Sequence, residues 1–356
     1  MYILVINPGS TSTKLAIYHD RRLEWHHTIH HPIEQLHKCA TIKDQLPIRL
    51  EAIDMALTDT GIPYHFDAVI GRGGLLRPTP GGVYEVTPLI IHDLLEAELQ
   101  HACNLGGVMA LDIARRHNNA KAFIADPEVV DEMMPEARLT GIKGLTRRSV
   151  FHALNTKAAA RRYAASIGKK YHELNLIIAH LGGGISVAAH LKGKVVDVNN
   201  AIGGDGPISP ERSGSIAATD IVELCFSGRH TRKEIERLLN GGGGIASLLD
   251  TNDMREAIDE AEKGKQPASD IIKAMAYSIA KEIGARQVAL RGDVDAIILT
   301  GGIARSQYFI SLISHWVSYI APIIVNSDDN EMEALASNAY NALAGILPLS
   351  VYNPGD

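Results

Sequence analysis

The segment Asn7-Pro8-Gly9-Ser10-Thr11-Ser12-Thr13-Lys14 gathers a glycine, a run of hydroxyls and a lysine between two apolar stretches, Tyr2–Ile6 and Leu15–Tyr18. Short β-rich flanks bounded by turn residues read as the two strands of a hairpin. In such a turn, backbone amides and the hydroxyls of Ser10 and Ser12 can line a phosphate chain while Lys14 reaches its charge. A P-loop needs a second glycine before the lysine and a helix after it. Here that glycine is missing and a strand follows, so the chemistry is phosphate binding by a hairpin of a different kind. The competing reading is a Ser/Thr-rich surface turn with a solvated lysine.

The same layout recurs. Leu174–His180 runs into Leu181-Gly182-Gly183-Gly184, then Ile185–Leu191, a Lys192-Gly193-Lys194 turn and Val195–Val198. In the first copy His19-Asp20-Arg21 is the outer turn and Leu23-Glu24-Trp25 the third strand. Downstream, Asp67–Gly74 has its counterpart in Asp295–Gly302, each a strand ending in Gly-Gly. Repetition at this long period indicates a duplicated domain rather than a solenoid, and two glycine hairpins facing each other would hold a nucleotide.

Other residues carry charge suited to that ligand. Arg72 lies at a glycine-flanked strand end, where α/β sheets present ligand residues; a surface ion pair is the plainer reading. His152 follows Arg147-Arg148-Ser149-Val150-Phe151 and is read either as a donor or as a satisfied core histidine. Arg212 sits in Pro210-Glu211-Arg212-Ser213-Gly214, as a functional cation or a helix-start residue. Asp126 ends the strand Ala122–Ala125, as a functional carboxylate or the N-cap of a helix beginning near Pro127.

Composition bounds the rest. A chain of 356 residues is long enough for two domains with their own cores. With 46% hydrophobic residues and a mean hydropathy of −0.01 it has an ordinary globular balance. A net charge of −6 argues against non-specific nucleic-acid binding, so any anion site is local. Cys39, Cys103 and Cys225 have no metal or redox spacing and read as the reduced thiols of a cytoplasmic protein. No apolar run approaches membrane-span length, and the apolar start reads as a strand rather than a leader. His26-His27 and His30-His31 lie in a polar stretch and read as surface residues.

The elements that must position these groups alternate between strand and helix, which implies an α/β fold with mixed sheets. Thr87-Pro88 opens a helix through about Gln100. Asn104–His117, Asn155–Ser166, Ala268–Leu290, Arg305–Tyr319 and Asn330–Ala344 read as further helices, and Thr231–Glu234 as a capping box for a helix through Leu239. Asn240–Gly244 is a glycine-rich break, and a domain boundary is inferred from the repeat near residues 146–152.

Asn7–Lys14, Arg147–His152, His180–Gly184, Glu211–Gly214 and Leu299–Ser306, in this order, resemble the acetate kinase/butyrate kinase family, part of the superfamily of sugar kinases, actin and heat-shock ATPases. The resemblance spans nearly the whole chain. The turn Asn7–Lys14, Gly71–Gly74 and Ser209–Ser215 are most similar to the butyrate kinase branch. Acetate kinases carry H-R-x-x-H-G-G and H-G-T-S-H where this chain has Gly71-Arg72-Gly73-Gly74 and His152-Ala153-Leu154-Asn155.

The resemblance implies a duplicated actin-like (ribonuclease H-like) fold, with domains at 1–150 and 151–356, mixed sheets flanked by helices, and a last helix near 330–345 packing back on the first domain. It implies a cytoplasmic homodimer or larger homo-oligomer that moves the γ-phosphoryl group between ATP and a short-chain carboxylate, most like butanoate, with Mg²⁺. Arg72 then holds the substrate carboxylate, and Arg212 and His152 meet charge on the transferring group. His180, Gly182, Gly183 and Gly184, with Ser10, Ser12 and Lys14, touch phosphates. Asp253, Met254 and Arg255 contact the adenosine, and the turn Gly301, Gly302, Ile303, Ala304 and Arg305 favours phosphate or ribose oxygens. Asn7 and Glu331 surround the metal, with Glu333 the competing choice.

Asp126 corresponds to a family acid/base, but a carboxylate nucleophile with a pKa of about 4–5 is already ionised. Orientation of an arginine or of metal-bound water is therefore favoured for it. The alternatives are an acetate, propionate or isobutyrate kinase working the same way, and a non-catalytic actin-like nucleotide-binding protein. The latter has no use for Arg72, His152 and Arg212. No nucleic acid or membrane partner is expected.

Overall fold

The computed structural model describes residues 1–58, 60, 65–117, 120–327 and 331–354. The chain forms two compact units, one of Met1–Asp131 with Asn330–Asp356 and one of Glu132–Asp329. The crossing thus falls before the residue 150/151 boundary read from the repeat. Residues 132–150 run along the second unit: the Met134 amide donates to the Val196 carbonyl and Arg147 pairs with Asp197 at 2.8 Å.

The strands, in chain order, are β1 (Tyr2–Pro8), β2 (Ser12–His19), β3 (Arg22–His30), β4 (Ala68–Arg72), β5 (Val83–Glu85) and β6 (Lys121–Ala125). There follow β7 (Asn175–Leu181), β8 (Ile185–Leu191), β9 (Lys194–Val198), β10 (Ala296–Thr300), β11 (Ile323–Asn326) and β12 (Leu349–Ser350). The first unit's sheet has the order β12-β5-β6-β4-β1-β2-β3, and the second unit's the order β11-β10-β7-β8-β9.

The repeat read in the sequence is a repeat in space. In each unit an antiparallel hairpin and a third antiparallel strand adjoin two parallel strands, β4 and β6 in one, β10 and β11 in the other. Both middle strands carry a register shift near their far end, at Ile17/Tyr18 and at Ala189/His190. Central strands β1 and β7 are buried on both faces, which explains their near-continuous apolar runs. The edge strand β3 is instead exposed and rich in polar residues, a composition that blunts an edge.

Helices cover the sheets with one apolar face each. Leu46–Thr58, between β3 and β4, turns Arg49, Ile53 and Leu57 inward at a spacing of one face. Its counterpart Ala268–Ala289, between β9 and β10, buries Ile272, Met275, Ala276, Ile279 and Ile283 over the second sheet. Glu331–Leu343 packs on β1 and β4 of the first unit. Pro88–Leu95 stops short of the Gln100 expected from its sequence, because the Gln100 amide donates to the Leu95 and Ala97 carbonyls and folds the chain back. β3 is longer than Leu23–Trp25; His26, His27 and His30 are exposed on it, but His31 is buried and bonded to the Thr13 hydroxyl at 2.8 Å. The surface reading of His31 is thereby corrected.

Candidate active site

Arg72 ends β4, and Asp126 follows directly on β6, the parallel neighbour in which Ala125 pairs with Arg72. Gly71 and Gly106 allow this strand end to touch the helix Leu105–Arg116, since a Cβ on Gly71 would overlap the Gly106 carbonyl. The Arg72 guanidinium donates through Nε to Glu128 and through Nη1 to Glu331 Oε2 at 2.9 Å. Burial acts to lower its pKa, but the Glu128 and Glu331 carboxylates outweigh that and hold it above the ordinary arginine value. Nη2 has no partner among the described residues, so one edge of the fork is left to meet a further carboxylate.

Glu331 Oε2 also accepts from Asn7 Nδ2 at 2.6 Å. Asn7 and Glu331, far apart in sequence, thus meet, while Glu333 is exposed. The amide oxygen and carboxylate are hard donors of the kind Mg²⁺ takes, and a cation that keeps several waters needs few more. Two side chains of that donor chemistry meet here, with Glu331 Oε2 engaged by Asn7 and Arg72. Asp126 is buried with φ +40°, and its carboxylate accepts the Gly82 amide at 2.9 Å. No helix begins at Pro127, so the N-cap reading of Asp126 is set aside. At the hairpin turn, Ser10 and Lys14 are exposed and Ser12 half-buried. Beneath them the buried Arg49 donates to the Gly9, Ser10 and Ser12 carbonyls.

In the second unit His180 lies near the end of β7 and His152 precedes the helix Ala153–Ser166. Their rings stack with centroids 4.1 Å apart and planes at 25°. Ser186, directly across from His180 on β8, accepts the His152 amide at 3.2 Å and bonds its Nδ1 at 2.7 Å, fixing the ring. Arg212 donates through Nε to Asn240 at 3.0 Å, and its Nη1 is buried with no hydrogen-bond partner among the described residues. Its guanidinium lies on Gly184, where any Cβ would collide with it. Burial lowers the Arg212 pKa, with Glu211 opposing. A buried donor already aimed is suited to charge that develops during a reaction.

Beside this turn opens a cavity of about 890 Å³, lined by Gly182, Gly183, Pro210, Glu211, Asn252–Arg255, Ile258, Asp259, Glu262, Gly302, Ile303 and Arg305–Tyr308. Its size suits a nucleotide. Asp253 caps the helix Met254–Glu262 by accepting the Arg255 amide at 2.9 Å, and the Arg255 guanidinium folds back on it at 3.3 Å. Gly302–Arg305 is a 3₁₀ turn before the helix Gln307–Val317, which Ser306 caps. Of the nucleotide candidates, Ala304 and His180 lie outside this lining, Ala304 having no exposed surface and belonging to the core. Gly184 and Gly301 also lie outside the cavity's lining, Gly184 beneath Arg212 and Gly301 at the end of β10 against Leu181.

Sequence reading missed Glu128, Ser186, Asn240 and Arg49. Glu128 stands two residues from Asp126, and Arg49 falls four before Ile53 on the apolar face of its helix. Those positions were the available signals. Ser186 and Asn240 gave none, because their partners are distant in sequence.

Two sheets of one layout, each with a glycine-bearing hairpin turn, define the duplicated actin-like class. The fold is shared with solved structures of acetate kinase from Porphyromonas gingivalis (TM-score 0.80, 21% identity, 96% of this chain and 99% of that one). It is also shared with a propionate kinase from Francisella tularensis (TM-score 0.73, 17% identity, 95% and 98%). The chain belongs to the acetokinase family, whose sequence model matches residues 136–333. It is 52% identical over 354 residues to a probable butyrate kinase of Phocaeicola vulgatus, covering 99% of this chain and 100% of that one. To a probable butyrate kinase of Bacteroides thetaiotaomicron it is 47% identical over 352 residues, covering 99% and 100%.

Proposed function

We propose that the protein transfers the γ-phosphoryl group of ATP reversibly to a short-chain carboxylate, with butanoate the preferred acid. The observation that carries this reading is Arg72: an arginine fixed at a strand end by two carboxylates, with one donor edge left over. Relatives with about half of their residues identical bear the name probable butyrate kinase, which favours butanoate over acetate or propionate.

The nucleophile is an anion at neutral pH and needs no base. What the chain supplies is grip and charge. Arg72 binds the acid's carboxylate. The cavity beside Gly182 and Gly183 binds the nucleotide. Arg212 and His152 donate to the oxygens of the group in transfer, and Ser10, Ser12, Lys14 and His180 to phosphate oxygens. Asn7 and Glu331 hold Mg²⁺, which neutralises phosphate charge when bound. Asp126 acts by position, fixing the Gly82 loop at the strand end that carries Arg72.

A hydroxamate assay across acetate, propionate, butyrate, isobutyrate and valerate tests the reading, and butyrate is expected to give the highest kcat/KM. One methylene in a shaped pocket is worth roughly 10–200-fold, so the series has the resolution to reject butanoate if another acid leads. EDTA is expected to abolish turnover without altering the melting temperature. Family membership also supports a homo-oligomer in solution, which sedimentation of a monomer at micromolar concentration would refute.

A further inference from the structure

Arg49 is fully buried, and every group it hydrogen-bonds among the described residues is neutral. Its Nε and Nη2 donate to the Gln45 side-chain oxygen at 3.1 and 3.0 Å. Nη1 donates to the Ser12 carbonyl at 3.2 Å and the Thr13 hydroxyl at 3.0 Å, and Nη2 to the Gly9 and Ser10 carbonyls, both at 3.0 Å. The remaining carbonyl of the turn, Thr11, accepts the His31 amide at 2.9 Å. All the carbonyl oxygens from Gly9 to Ser12 are therefore held by donors of the protein. The Ser10 and Thr11 amides have no partner among the described residues.

Such an arrangement is costly without a ligand. A buried guanidinium with no carboxylate beside it lacks the counter-charge that interiors normally provide. Burial pulls its pKa down to about 10, with Cys39 acting weakly the other way. The turn has also been arranged with its negative dipole ends inward. Outward it offers amides, the hydroxyls of Ser10, Thr11 and Ser12, and Lys14. An anion on that surface would supply the counter-charge that the interior omits.

We propose that Arg49 is a buried positioning residue for an anion site on the Gly9–Thr13 turn: it holds the turn's carbonyls away from a bound phosphate group and acts as that group's interior counter-charge. The inference rests on the reading of this turn as a phosphate site. Arg49 does not touch the ligand. It acts through the backbone it holds.

The test compares wild type, Arg49→Met, Arg49→Lys and Lys14→Ala by calorimetric titration with a non-hydrolysable ATP analogue plus Mg²⁺, and by thermal melting with and without it. Arg49→Met is expected to melt at or above the wild-type temperature when unligated, because an uncompensated buried charge has gone. Its affinity for the analogue should nevertheless fall about 10- to 100-fold, the scale of one lost charged interaction. Arg49→Lys, which keeps the charge but cannot span three carbonyls, should recover part of that loss. Should Arg49→Met not fold, Arg49→Lys carries the test, with a reduced ligand-induced rise in melting temperature as the expected result.

A fall in unligated stability with an unchanged ligand-induced rise would reduce Arg49 to a structural residue and overturn the proposal. Weakened binding in Lys14→Ala alongside unaltered binding in both Arg49 variants would overturn it while leaving the phosphate turn in place. Unaltered binding in Lys14→Ala and the Arg49 variants alike would remove the phosphate turn itself.

Discussion

Arg72 and Arg212 are both partly buried arginines, yet their surroundings differ in a way that suits the different tasks proposed for them. Arg72 is neutralised by Glu128 and Glu331 before any substrate arrives, so its remaining edge contributes grip rather than raw charge. Among the described residues Arg212 has no ion pair and keeps a buried donor unmatched, the state expected of a group whose partner forms only during the reaction. Arg72→Ala is accordingly expected to raise the KM for butyrate and leave that for ATP nearly unchanged. Arg212→Ala should chiefly lower kcat, by about 10²–10³ for a lost donor of this type, and His152→Ala should resemble it. Steady-state kinetics in both substrates separates these outcomes, and equal KM effects in Arg72→Ala would overturn its assignment. Asp126→Asn should leave the pH–rate profile unchanged in shape; loss of its acidic limb would make Asp126 a base. Arg72 and Arg212 stood out as candidates because glycine or proline lies within two residues of each. Arg49 carried only its place four residues before Ile53 on an apolar helix face, and His31 carried no signal, because burial of a polar side chain depends on partners distant in sequence.

Among the elements, the first hairpin and its supports carry the sharpest consequences. β4 reaches the helix Leu105–Arg116 at backbone contact, so Gly71→Ala must push them apart. A loss of about 1–3 kcal/mol in urea unfolding is expected, with a raised KM for butyrate because Arg72 moves with the strand end. His31, beneath the same hairpin, is held down to about 4 from 6.5, first by burial and then by the nearby Arg49 charge. Folded protein then binds fewer protons than unfolded protein between those values. The stability His31 contributes is complete above about 6.5 and is lost as pH falls towards about 4. Melting temperatures of wild type should drop more steeply across that window than those of His31→Gln, and parallel curves would refute the linkage. The hairpins themselves were readable from apolar runs broken by glycine and hydroxyl turns. The ends of Pro88–Leu95 and β3 were not, since a side-chain amide stops one and edge-strand pairing extends the other through polar residues.

For the whole molecule, the duplicated layout explains why one chain can divide its work. The second unit, continuous in sequence from Glu132 to Asp329, has its own sheet, core and nucleotide-sized cavity. The first unit draws the helix Glu331–Leu343, and with it Glu331, from beyond the second. A chain lacking residues 331–356 is therefore expected to lose hydroxamate formation and the cooperative melting of the first unit. Stabilisation of the second by ADP should persist. Loss of the ADP effect as well would show that the second unit does not stand alone. The repeat made this architecture visible in the sequence. The point of crossing at Asp131 was hidden, because it is set by contacts of residues 132–150 with the second sheet rather than by any linker composition.

The placement of Glu331–Leu343 also has a consequence for biosynthesis. A ribosome delivers β1 and β4 early, yet the helix that covers them emerges only after the entire second unit has been made. Completion of the first unit must follow completion of the second, the reverse of the usual N-terminal-first order for domains. Until then the face of β1 and β4 that the helix will cover is open to chaperones. No nascent chain can assemble the Asn7–Glu331–Arg72 cluster before the start of the helix Glu331–Leu343 is synthesised.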